Sequence, residues 1–246
     1  MPAADNTRMA LYSDAAMVLF FDIAGDNAEH DEWHTREHMH ERLSIPGFLR
    51  ATRWVAKAGT PRTLVIYELS GTDVGASPAY LERLNAPTPW TTEMMSRYRH
   101  MIRGFCELVA SSGLGLGHAA LSVRFTPREG EEAGLRERLG REVLPALAAQ
   151  RGMASVHLFR PGAPPPMTSE QALRGRDAAM PWLLLATAYE ADVLGRTASE
   201  HLRPEALEWL GAAPGIAPGT YRLQYTATAR EAARIPPEGL VQWRRQ

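Results

Sequence analysis

The sequence predicts an α+β chain made of two consecutive βαββαβ units whose sheets pack face to face. Three observations carry this. Apolar strand-like runs and polar helical stretches alternate in the same order twice. A glycine-rich joint, Ser111-Ser112-Gly113-Leu114-Gly115-Leu116-Gly117, separates the two series. Two short stretches also recur at corresponding places. Gly47-Phe48-Leu49-Arg50-Ala51-Thr52-Arg53-Trp54 matches Gly152-Met153-Ala154-Ser155-Val156-His157-Leu158-Phe159. Tyr67-Glu68 with Asp73-Val74 matches Tyr189-Glu190 with Asp192-Val193.

In the first unit, residues 16–23 are short, apolar and strand-like, and Gly25 and Asn27 end the run. Residues 28–43 are polar and helix-prone up to Pro46-Gly47. Residues 48–55 and 63–68 read as a hairpin across the turn Lys57-Ala58-Gly59-Thr60-Pro61. Residues 78–97 read as helix broken at Pro87 and Pro89, and a closing strand runs from 98 to 109. The second unit repeats this, with strands at 118–125, 153–159, 182–190 and 220–228. Its helices fall at 128–149, containing Pro145, and at 192–210, divided at Pro204. The units are therefore placed at 14–110 and 118–230, with a linker at 111–117 and an extended tail at 231–246. Pro161-Gly162-Ala163-Pro164-Pro165-Pro166 lengthens the second hairpin connection and reads as a surface loop.

Each unit is ferredoxin-like, a four-stranded sheet with both helices on one face. The other face is bare and must be covered. Two tandem ferredoxin-like units in one chain can cover each other, and a homodimer remains open to such a chain.

Bulk properties narrow the function. The formal net charge of -1 over 246 residues gives no general attraction to polyanions, so no nucleic-acid partner is expected. The single cysteine, Cys106, cannot form an internal disulfide and lies in a strand-like stretch, as a buried inert thiol would. Residues 17–21 are too short for a secretory apolar segment, Asp22 interrupts them, and no run reaches bilayer length. No membrane association and a cytoplasmic location are expected.

The densest functional cluster is Trp33-His34-Thr35-Arg36-Glu37-His38-Met39-His40-Glu41-Arg42, and half of the eight histidines lie between His30 and His40. His34 and His38, four apart, share a helical face with Glu37 and Glu41 beside them. His34-Thr35-Arg36-Glu37-His38 has the form of an inverted zinc-protease motif, in which Glu37 would activate a water. A third ligand is not evident, and no metal is expected. On a helical wheel Trp33, Arg36, Met39, His40 and Leu43 form the apolar arc. That leaves His34 and His38 either solvated or facing a cavity between helices. In the second case His38 would serve as general acid or base, because an imidazole exchanges protons near neutrality.

The stretch from Trp33 to Arg42, continuing into Ile45-Pro46-Gly47-Phe48-Leu49-Arg50, resembles the dimeric α/β-barrel superfamily, and within it the EthD-like branch and its bacterial relatives. Tyr67-Glu68, Ser77-Pro78-Ala79-Tyr80-Leu81 and Pro87-Thr88-Pro89-Trp90-Thr91 extend the resemblance over the first half. The superfamily includes monooxygenases of polyketide-like aromatics, cyclases, muconolactone isomerases, haem-handling enzymes and dye-decolourising peroxidases. The resemblance implies His38 as first catalytic candidate with Glu37 as its neighbour, and His34 and His40 behind them. No Trp–Glu-His helix occurs between 128 and 149, so it implies that the site belongs to the first half.

Arg50, Thr52 and Trp54 share one strand face, aimed between the sheets. With Tyr67 and Trp33 they could hold an aromatic acid through ring contacts and a charged anchor. His157 and Tyr189 would form a second, weaker pocket. A haem would need a histidine facing an apolar cavity, which no pattern here identifies. The expectation is an enzyme without metal or organic cofactor, acting on a small hydrophobic or aromatic metabolite. Its reaction would be isomerisation, cyclisation or cofactor-free oxidation. The alternatives are a non-catalytic binding protein with the same cavity and, behind it, a haem or metal-dependent enzyme.

Overall fold

The computed structural model describes residues 11–235. The first unit runs β1 (Ala15–Ile23), helix α1 (27–43), β2 (Phe48–Ala58), β3 (Thr63–Leu69), α2 (Pro78–Asn85), α3 (Pro89–Met95) and β4 (Tyr98–Gly113). The second runs β5 (Ala119–Phe125), helix α4 (132–148), β6 (Met153–Pro161), α5 (Ser169–Arg174), β7 (Ala178–Ala179), β8 (Trp182–Ala188), α6 (Ala191–Glu200), α7 (Pro204–Trp209), β9 (Ala217–Thr228) and α8 (Ala229–Ala232). The prolines divide the helices as the sequence indicates: Pro78 and Pro89 begin helices whose first turns Ser77 and Thr88 cap.

The sheet closes on itself. Hydrogen-bonded neighbours take the order β1-β3-β2-β9-β5-β8-β6-β4, and β4 returns to β1. The first unit contributes β4-β1-β3-β2 and the second β9-β5-β8-β6, joined by the antiparallel pairs β2–β9 and β4–β6. The bare faces meet inside the barrel, as expected, and closure also removes the open edges of both sheets. β7 adds a two-residue parallel ladder to β4.

Strand alternation divides each strand between two cores. Ala16, Val18, Phe20, Trp54, Leu64, Ile66 and Cys106 meet Ala120, Phe159, Leu183, Leu185 and Tyr221 inside the barrel. Met17, Phe21, Val65 and Tyr67 face outward under α1 and α3. A third, aliphatic core lies under the helices of the second unit.

Helices α1 and α4 are built alike. Each has seven α-helical residues, a five-residue π turn and five more α-helical residues: Asn27–Trp33, His34–His38, Met39–Leu43 and Glu132–Arg138, Leu139–Val143, Leu144–Ala148. Each leads to a glycine with positive φ, Gly47 or Gly152, just before the second strand.

Two boundaries differ from expectation. β4 continues through Ser111 and Ser112 to Gly113 and pairs with β6, so the connection to the second unit begins only at Leu114. The expected extended tail, 231–246, opens with Glu231 and Ala232 in α8, which a Thr228–Glu231 capping box starts, and its residues 236–246 lie outside the described residues. Among the described residues no helix is long and apolar enough to cross a membrane.

Candidate functional site

α1 carries its histidines into the protein. His30, His34 and His38 are buried, as are Trp33, Glu41 and Arg42. The wheel reading with His34 and His38 solvated is therefore overturned, for two reasons. The π turn bonds Met39 N–H to His34 C=O, an i→i+5 link that inserts an extra residue and rotates the remainder of the helix. Residues five apart then stack, and the rings of Trp33 and His38 have centroids 4.4 Å apart. The other reason is that α5, from the β6–β8 connection, packs over α2 and α3 and closes the side of α1 that a lone unit would leave wet.

Together these elements enclose a small chamber. Its outward-facing sheet wall is Met17, Leu19, Phe21, Tyr67, Met101 and Arg103, and α1 contributes His34, His38 and Arg42. Tyr80, Met95 and Tyr98 complete the first unit's share, and α5 supplies Glu170 and Arg174. The free volume is about 20 Å³, enough for one water.

The two imidazoles differ. Arg53 Nη1 donates to His34 Nδ1 at 3.0 Å, so the neutral ring carries its proton on Nε2, which lies 3.4 Å from Tyr67 Oη. His38 Nδ1 is buried without a hydrogen-bond partner, and Glu41 Oε2 lies 3.9 Å away. Burial holds both histidines well below their usual pKa, helped by Arg53 beside His34 and Arg42 beside His38. Each is a neutral imidazole at pH 7, and His38, which lines the chamber, keeps an uncommitted Nδ1. The carboxylate at hand is Glu41, whose own pKa is raised by burial while Arg83 binds its Oε1 at 2.6 Å.

Other expected site residues lie elsewhere. Glu37, expected beside His38, is turned toward α3, where Thr88 and Thr91 donate to its Oε1 at 2.5 and 3.3 Å. His40 is half-buried on the far side of α1, 3.5 Å from Tyr225 Oη. Trp33 is fully buried behind His38. The expected cradle of Arg50, Trp54 and Tyr67 does not assemble, because Tyr67 faces out under α1 while Trp54 faces the barrel interior. Arg50 pairs with Glu68 at 2.6 Å. His157 and Tyr189 do not share a pocket either. His157 is buried inside the barrel between Ser111 and Ser155, and Tyr189 is exposed, its hydroxyl accepting from Gly152 N.

Sequence reasoning missed Arg42, Tyr80, Tyr98, Arg103, Glu170 and Arg174. Arg42 had a signal, standing four residues after His38 and eight after His34. Glu170 and Arg174 had none beyond the length of their connection, which only folding brings over the first unit.

The second unit offers a comparison within the chain. The positions of His30, His34, His38 and Arg42 are taken in α4 by Leu135, Leu139, Val143 and Leu147, which join or pack against an aliphatic core. The fold packs these positions with hydrocarbon in one unit and with titratable groups in the other.

Among the described residues no three His, Cys, Asp or Glu side chains converge to hold a metal. Among the described residues, the open groove of about 730 Å³ between α4 and β4 has no histidine on its wall to ligate a haem.

No family model matches the chain, and no curated protein does. Solved structures do. A crystal structure of an anthrone oxidase-like protein superposes with a TM-score of 0.63 at 12% identity, covering 92% of this chain and 98% of that one. The fold is shared. A candidate monooxygenase from Lactobacillus acidophilus gives 0.54 at 10% identity, covering 88% of this chain and 97% of that one. Another, from Fusobacterium nucleatum, gives 0.52 at 7% identity over 89% and 96%. At these identities the likeness concerns the ferredoxin-like barrel alone.

Proposed function

We propose that the chamber of the first unit, widened by movement of α5, is the site of an enzyme acting on a small hydrophobic or aromatic metabolite, with His38 as the proton-transfer group. The observation that carries this is the buried, neutral His38, whose Nδ1 has no protein partner, beside the chamber. A buried polar atom left unpaired costs about 1–3 kcal/mol, and a packing role would not require it, as Val143 at the equivalent position indicates. His38 Nδ1 takes a proton from an enolisable C–H or phenolic O–H. Glu41 stabilises the imidazolium that forms, and His34 Nε2–H and Tyr67 orient the substrate oxygen. We read the chain as a tandem duplication with EthD-like affinity, in which the second unit has lost its polar lining.

The name of the anthrone oxidase-like structure supplies a probe: a fused-ring ketone with an enolisable methylene. Deuterium exchange of anthrone's methylene, monitored by NMR, reads proton transfer without requiring oxidation. Wild type is expected to accelerate exchange by about 10²-fold or more over buffer, and His38→Asn to lose that while staying folded. Binding of anthrone with no exchange by either protein would favour the non-catalytic binding role and refute the proton-transfer role.

A further inference from the structure

If the chamber is a small-molecule site, as proposed above, the charges around it indicate the chemistry of its ligand. Arg42, Arg103 and Arg174 meet two carboxylates, Glu170 and Asp177, and each of these side chains is at most 7% exposed. A buried guanidinium nitrogen left without an acceptor calls for one, because an unsatisfied buried donor is costly.

Arg42 marks where that anion goes. Its Nη2 donates to both oxygens of Glu170, while its Nη1 is buried with no partner. A guanidinium is not needed there for packing, since α4 uses Leu147 at the equivalent position. Glu170 belongs to the other unit. It sits on the six-residue α5, at the end of a connection that includes Pro164, Pro165 and Pro166 and is mostly exposed. With Glu170 in place the chamber admits one water; with α5 displaced, the wall of Phe21, Tyr67, Tyr80 and Tyr98 and the guanidinium of Arg42 become available together.

We propose that the ligand of this chamber is an aromatic carboxylic acid whose carboxylate replaces that of Glu170 on Arg42, and that α5 leaves with Glu170 to admit the ring. Glu170 is then an internal competitor. Apparent affinity is lowered by the fraction of molecules in which it holds the arginine.

The test is calorimetric titration of the full chain with 2-naphthoate and its uncharged counterpart 2-naphthamide. Wild type is expected to prefer the acid by about tenfold or more, and Glu170→Ala to tighten naphthoate by about another tenfold with little change for naphthamide. Arg42→Met should lose the preference; if that variant fails to fold by circular dichroism, wild type against Glu170→Ala still decides. Equal binding of acid and amide, no binding of either, or no gain from Glu170→Ala overturns the proposal. Anthrone exchange without acid preference would leave the site standing and remove only this inference. Acid preference without exchange would do the reverse.

Discussion

Replacing His38 by the residue its structural counterpart uses separates packing from chemistry at the centre of the proposed site. In His38→Val the unpartnered buried Nδ1 disappears, which returns about 1–3 kcal/mol. Against this stands the loss of the ring's contact with Trp33, at 4.4 Å between centroids, worth about 0.5–1.5 kcal/mol. The variant is expected to be as stable as wild type at pH 7.5, or more stable by about 1 kcal/mol, a rise in Tm of roughly 2–4 °C for a chain of this size. A second term appears in acid. His38 is held well below its usual pKa by burial and by Arg42, whereas the unfolded chain protonates it near pH 6.5. The unfolded state therefore binds more protons as pH falls below about 6.5, and wild type loses stability at this one residue. The variant has no such loss, so its advantage grows toward pH 5. Urea titrations at the two pH values measure both terms. A variant less stable by more than about 1 kcal/mol at pH 7.5, or an advantage that does not grow at pH 5, would refute the account of His38 as a neutral, unsupported imidazole.

Burial has two further measurable outcomes. His30, His34 and His157 are also held low chiefly by desolvation, His157 at about 3, so stability present above pH 6.5 should be lost as pH falls below it. A flat urea midpoint from pH 7.5 to 5 would contradict this. Cys106, pushed up to about 12 by burial in the barrel, should resist a thiol-specific disulfide reagent at pH 8 in the folded protein and react promptly in denaturant. Prompt labelling of the native chain would show that the barrel core opens.

Much of the fold is written in local pattern. The apolar run 16–23 alternates between two buried faces, and Pro78, Pro89 and Pro204 start helices where their missing N–H costs nothing. The candidate site was legible only in part. His34, His38 and Tyr67 are found at one chamber, but the wheel could not choose between solvated and cavity-facing histidines, because no residue pattern announced the π turn. Glu37 and Glu41 are equivalent on paper. Only the packing of α3, with Thr88 and Thr91 on Glu37, decides that Glu41 is the carboxylate near His38.

The sequence by itself determined two βαββαβ units and a first helix crowded with histidine, because strand and helix periods, glycines and prolines act over a few residues. Tertiary structure decided what those histidines are. A π turn set His38 against Trp33, Arg53 came beside His34 from β2, and α5 arrived from the other unit with Glu170 to close the chamber. Burial and charge depend on what packs against a residue, and here the decisive neighbours are far away along the chain.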